Sequence, residues 1–149
     1  MNNTDLMLGN LIVYKDQVRE VISISEEQLT LRSIDEPSNS ADNVNVEQCL
    51  GIPLNEDWLQ ALELIEDKDN SPDYGVWYYF PDERLTIKLA IRGTHRVEFE
   101  NGPLRKISFV HQLQNLNLLI TGEALHAKTY PDLWNLYVNG LAATKLSKW

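Results

Sequence analysis

From Leu85 to Arg92 the chain alternates without a break: Leu85, Ile87, Leu89 and Ile91 take turns with Thr86, Lys88, Ala90 and Arg92. Successive side chains of a strand point to opposite faces, so this period of two predicts a half-buried β-strand and excludes an amphipathic helix. Trp77, Tyr78, Tyr79 and Phe80 supply a preceding strand, closed by Pro81-Asp82-Glu83. The pleat also limits the pairing that follows, since a one-residue slip would set apolar residues opposite charged ones. A three-residue loop Gly93-Thr94-His95 pairs Ile91 with Val97 and Leu89 with Phe99, and sets Lys88 opposite Glu100. A five-residue loop over 101–105 then pairs Phe99 with Ile107 and Val97 with Phe109, while Glu100 meets Lys106.

The first third carries the same signal in shorter pieces. Val, Ile and Leu recur near period two over 8–14, 18–24 and 29–34, with Lys15-Asp16-Gln17 and residues 25–28 as polar turns. Gly9-Asn10 reads as a bend at the mouth of the first strand. Residues 35–45, whose run from Asp35 to Asn43 holds no apolar anchor except Ala41, read as an exposed loop. A short strand over 44–50 then closes an SH3-like partial barrel, a fold that fixes no function by itself. Asn55 is the expected N-cap of a helix that opens with Glu56 and Asp57, both favourable against the N-terminal dipole, and buries Trp58, Leu59, Leu62 and Ile65. Residues 66–72 read as a linker. A second helix begins at Val110, capped by Ser108 and stopped by Gly122, with a stripe of Val110, Leu113, Leu116 and Ile120 widened by Leu118 and Leu119. It is expected to lie across the inner face of the second meander. Pro131 suits the first position of a last helix carrying Leu133, Trp134, Leu136, Tyr137, Val138 and Leu141. The predicted class is therefore α+β: an SH3-like β lobe over 1–51, a helix and acidic hinge over 52–73, a β-meander with a buried helix over 74–125, and a C-terminal helical extension over 126–149.

Composition bounds the function. With 149 residues, 43% of them hydrophobic, the chain buries a real core, and its formal charge of -9 opposes general nucleic-acid or anionic-membrane coating. The charge is uneven. Residues 47–73 hold eight acids against Lys68, whereas residues 84–106 hold six bases against Glu98 and Glu100. A single cysteine, Cys49, allows no internal disulfide; the polar start from Met1 to Asp5 lacks a basic region followed by an apolar run; and no apolar stretch reaches the roughly 20 residues of a bilayer span. A cytoplasmic protein with no membrane association is expected.

Candidate chemistry is sparse. His111 stands beside Gln112, Gln114 and Asn115, and a histidine among amides suits acid–base work; the plainer reading is a cap or hydrogen-bond hub at a strand–helix junction. His95 in a turn and His126 beyond a helix complete no metal-ligand spacing, Cys49 lacks a nucleophile signature, and the seven glycines are scattered singly with no phosphate-binding loop. No metal or cofactor is expected. The candidate interaction residues are Arg84, Lys88, Arg92 and Arg96 on a basic strand face, with Arg105 and Lys106 nearby, and Trp134, Tyr137 and Leu141 in the tail. Pairing of that face with Glu98 and Glu100 is the plainer account of its charge. Tyr74, Trp77, Tyr78, Tyr79 and Phe80 form an aromatic run that suits a strand with one face in the core, or a stacking platform.

Four segments together resemble a family of small uncharacterised proteins of Bacteroidetes genomes and their phages and mobile elements. They are Leu8-Gly9-Asn10-Leu11-Ile12, Ile52-Pro53-Leu54-Asn55-Glu56-Asp57-Trp58-Leu59, Val110-His111-Gln112-Leu113-Gln114-Asn115-Leu116, and Thr121-Gly122-Glu123-Ala124-Leu125. The resemblance spans residues 8–125 and implies a phage or mobile-element origin without implying an activity; the chain departs from it in the longer tail over 126–149. Absent catalytic residues, segregated charge and an apolar tail lead to the expectation of a non-enzymatic protein-interaction protein, self-association through the last helix included. The alternatives are a nucleic-acid-associated regulator using the basic strand face and an enzyme centred on His111.

Overall fold

The computed structural model describes residues 5–34, 41–69, 75–80, 85–90, 95–99 and 102–131. The fold is α+β, and its described residues divide into two compact units: one runs to Pro53 and resumes over Phe109–Ala124, the other comprises Leu54–Ser108 and Leu125–Pro131.

In the first unit β1 (Leu11–Tyr14) and β2 (Gln17–Ile24) pair antiparallel through a two-residue turn, with Tyr14 opposite Gln17. Lys15 and Asp16 both adopt left-handed backbone, at φ 48° and 60°. That geometry matches the right-handed twist of the flanking strands, which is why two-residue hairpins use it despite the strain on non-glycine residues. β3 (Gln28–Ser33) and β4 (Ala41–Asn45) extend the sheet in the order β1-β2-β3-β4. β4 corrects the expected loop. It is an edge strand in which only Val44 is buried, so it carries no alternation to read; its polar residues are used across the strand, as in the Thr30–Asn43 side-chain hydrogen bond of 2.8 Å. A 3-10 turn (Val46–Gln48) replaces the second half of the expected 44–50 strand, and Leu50 exchanges two backbone hydrogen bonds of 2.9 Å with Val13 of β1. The four-stranded sheet is open. Its core gathers Leu6, Ile12, Val21, Leu29, Leu31, Val44, Val46 and Cys49.

The first unit is completed by α2 (Val110–Thr121), whose neighbour is β1. The expectation that this helix lies on the second meander gives way to those contacts. Its cap differs too: the N-cap is Phe109 and not Ser108, and the Phe109 backbone N–H donates to Gln112 Oε1 at 3.3 Å. Gly122 ends it as expected, in left-handed backbone at φ 75°.

The second unit starts with α1 (Glu56–Ala61). Asn55 caps it as the sequence predicts, its side-chain oxygen accepting from Trp58 N–H at 3.0 Å. The helix stops earlier than its apolar pattern. Leu64 N–H reaches back to Leu59 C=O at 3.0 Å and Glu63 N–H to Gln60 C=O at 2.9 Å, with Glu63 in left-handed backbone at φ 64°. This is a Schellman closure with glutamate where glycine is usual, and it buries Leu59 and Leu64 together at the helix end. Ile65, expected on the helix face, is therefore 61% exposed in β5 (Ile65–Asp67), inside what reads from sequence as a linker.

β5, β6 (Gly75–Tyr79), β7 (Leu85–Ala90), β8 (His95–Phe99) and β9 (Gly102–Ile107) form an antiparallel sheet in chain order. Its register departs from the expected one by four residues. Val97 faces Ile87 instead of Ile91, Phe99 faces Leu85 and Gly102, and Ile107 faces His95. Phe109, expected opposite Val97, bridges to Pro53 in the first unit. A slip of four preserves the alternation of each strand, although it sets Leu89 and Ile107 opposite His95 and Val97 opposite Arg105, so alternation alone does not choose between the two registers. Phe99 pairs with Gly102, and the register shifts by one residue between Val97 and Glu98.

Candidate functional site

The corrected register creates a row that the expected one lacks. Across the five strands, Asp67 is opposite Trp77, Trp77 opposite Lys88, Lys88 opposite Arg96, and Arg96 opposite Lys106. Three bases on three adjacent strands thus occupy consecutive register positions, where like charges directly opposite repel. The expected neutralisation of Lys88 and Lys106 by Glu100 has no counterpart in this pairing: their positions are opposite Arg96, and Glu100 lies outside the described residues, as do Arg84 and Arg92. Glu98 faces Thr86 and Pro103, one register step removed.

The other end of the row is acidic and aromatic. Tyr79 Oη donates to Asp67 Oδ2 at 2.7 Å, and this bond is the main reason its phenol is held above the ordinary value of 10. Trp77 and Tyr79 are half-buried. Tyr78 of β6 and Phe80 just beyond its end are buried, and Tyr78 is likewise raised, first by burial and then by the charge of Glu56. The aromatic run is therefore split by the pleat, with one pair in the core and the other beside the row.

Elsewhere the candidates resolve as packing. His111 is fully buried in the first turn of α2, its ring stacked near Phe109 at 5.9 Å between centroids, and burial pushes its imidazole down to about 3. It is neutral at physiological pH. Cys49 lies in the core of the first unit, and burial pushes its thiol up to about 12, so it holds negligible thiolate near neutrality. His95 opens β8 and His126 is exposed beyond α2, and no group of three metal-ligating side chains occurs among the described residues. No helix among the described residues is long and apolar enough to cross a membrane. Trp134, Tyr137 and Leu141 lie outside the described residues.

One cluster reads from sequence only as the amides that follow His111. Gln114 on α2 accepts from Leu11 N–H at 2.9 Å and donates to Gly9 C=O at 3.2 Å, while Asn115 accepts from Asn10 Nδ2 at 2.7 Å and donates to Asp5 C=O at 2.8 Å. These amides satisfy the backbone where Gly9, at φ 88°, bends the chain into β1. Every named partner is internal, so the cluster is a clamp on the chain's own N-terminal segment. The cross-strand row is set by backbone register alone, with Lys88, Arg96 and Lys106 at consecutive positions beside Trp77 and Asp67. Family profiles, curated proteins and solved structures yielded no match to this chain.

Proposed function

We propose that this chain is a non-enzymatic protein-interaction protein of phage or mobile-element origin, acting in the cytoplasm of a bacterial host, with the five-stranded sheet as its docking face. The observation that carries the reading is the row Asp67–Trp77–Lys88–Arg96–Lys106. Stacking three like charges is unfavourable in isolation, and an acidic segment of a partner protein relieves it. Both signs occur along one row, which suits a protein surface that can complement each end; a uniform polyanion would meet Asp67. The net charge of -9 weighs the same way, because long polyphosphates feel the summed field more than a short acidic segment does. The first unit is read as an SH3-like partial barrel, supported by the 3-10 turn at Val46–Gln48 and the return of Leu50 to β1.

A nucleic-acid-associated role is the second reading, favoured by Trp77 lying next to Lys88 in register, since aromatic and cationic positions side by side make a stacking platform. One titration separates the two. Fluorescence anisotropy with a labelled Glu/Asp-rich dodecapeptide and with a labelled thymidine oligonucleotide, at two salt concentrations, is expected to show binding of the peptide and its loss in the Arg96→Glu, Lys106→Glu double variant. Oligonucleotide binding with a steep salt slope would transfer the row to the second reading. Indifference of both probes to the charge reversal would remove the row as a site.

A further inference from the structure

The row that crosses the second sheet fixes a spacing as well as a charge pattern. Trp77, Lys88, Arg96 and Lys106 are opposite one another on successive antiparallel strands, so the row runs across the strands, along the hydrogen-bonding direction. Neighbouring strands lie about 4.8 Å apart in that direction, which spreads the three basic positions over about 10 Å and the whole row from Asp67 to Lys106 over about 19 Å. Tyr78 and Ile107, next in sequence to Trp77 and Lys106, are buried, so the alternate positions that hold the row belong to the other face of the sheet. Like charges directly opposite one another destabilise the pairing, and a ligand that neutralises them in step removes the penalty.

The pitch of the row separates the two ways in which an acidic segment can present its carboxylates. On a helix, positions i+3 and i+7 rise about 4.5 Å and about 10.5 Å above position i and share its face, in step with the three bases. On an extended strand, the same-face positions i, i+2 and i+4 advance by about 6.6 Å per step and are about 4 Å out of step by the third. The helix face continues through i+10 and i+14, at about 15 Å and about 21 Å, where the row offers Trp77 and then Asp67. Acids toward the N-terminus and a base in the last turn also complement the helix dipole, which selects one polarity. We propose that the partner's docking element is an amphipathic α-helix lying across the strands. Its carboxylates at i, i+3 and i+7 meet the positions of Lys106, Arg96 and Lys88, an apolar residue at i+10 meets Trp77, and a Lys or Arg at i+14 meets Asp67. This occupant rests on the row being a protein-docking face and adds the partner's secondary structure, charge order and polarity.

Two labelled peptides of equal composition test this by fluorescence anisotropy with the full chain. One carries Glu at i, i+3 and i+7, Leu at i+10 and Arg at i+14 in an alanine-glutamine background, with its single proline at the first helical position. The other rearranges the same residues so that the Glu stand at i, i+2 and i+4 around a central proline, which bars a helix. The helical peptide is expected to bind about tenfold more tightly and to gain helical circular dichroism on binding. Arg96→Glu is expected to weaken it by about tenfold, and Lys106→Glu, on the edge strand β9, gives the same reading where the inner-strand change prevents folding. Equal or tighter binding of the proline-centred peptide would overturn the helix and leave the row as a docking face for an extended segment. Helical binding indifferent to both charge reversals would place the peptide elsewhere and overturn the proposal. Binding of neither peptide, whether or not the thymidine oligonucleotide binds, would remove the protein-docking reading together with the helix.

Discussion

The two helices bury opposite chemistry. α1 turns Trp58, Leu59 and Ala61 inward and caps itself with Asn55, while α2 turns Gln114, Asn117 and His111 inward beside Val110 and Leu113 and leaves Leu119 in solvent. The difference follows from what each helix has to satisfy. α1 meets apolar side chains, so transfer of apolar area from water holds it. α2 meets the bent entrance to β1, where Gly9 C=O and Leu11 N–H have no ladder partner of their own and the Gln114 amide supplies both. A buried amide with both ends used is tolerated; half-used, it destabilises.

Breaking each helix by its own chemistry should give the largest effects. Trp58→Ala empties a fully buried site and is expected to lower unfolding free energy by about 3–5 kcal/mol in urea titrations. Gln114→Leu keeps volume and adds hydrophobicity, so on an apolar-stripe view of α2 it would stabilise. Because it orphans two backbone groups it is expected to destabilise by roughly 2–4 kcal/mol. A neutral outcome would erase the contrast between the helices.

His111 sharpens the comparison through pH. Its folded value of about 3 lies below the ordinary 6.5, so as pH falls the unfolded chain takes up the proton first. The associated stability is complete above about pH 6.5 and lost as pH drops toward 3, at about 1.4 kcal/mol per pH unit. Comparing wild type with His111→Gln between pH 7 and 5 isolates this slope from that of the carboxylates. Parallel curves would contradict a buried neutral imidazole. The smallest expected effect is at the end of α1: Glu63→Gly relieves left-handed backbone and should raise stability by up to about 1 kcal/mol, read as a shift in thermal midpoint.

Legibility in the sequence tracked how local each determinant is. The Asn55 cap, the Gly122 stop, the turn after Tyr14 and the first three strands of the first sheet were readable because each depends on a few adjacent residues. β4 was missed because an edge strand with one buried residue carries no period. β5 was missed because a Schellman closure at Glu63 gives no glycine to see. In the candidate site, Lys88 and Arg96 were legible as bases on strands, but the row joining them to Trp77, Asp67 and Lys106 depends on register across four strand pairs.

By itself the sequence determined the α+β class and the existence and type of most elements, since period and capping are written into neighbouring residues. Tertiary structure alone decided which even register the second sheet adopts and which side of α2 is inside. Side-chain alternation is unchanged by a four-residue slip, and a helix carrying apolar and amide stripes is read correctly only once the unpaired backbone it must satisfy is in place.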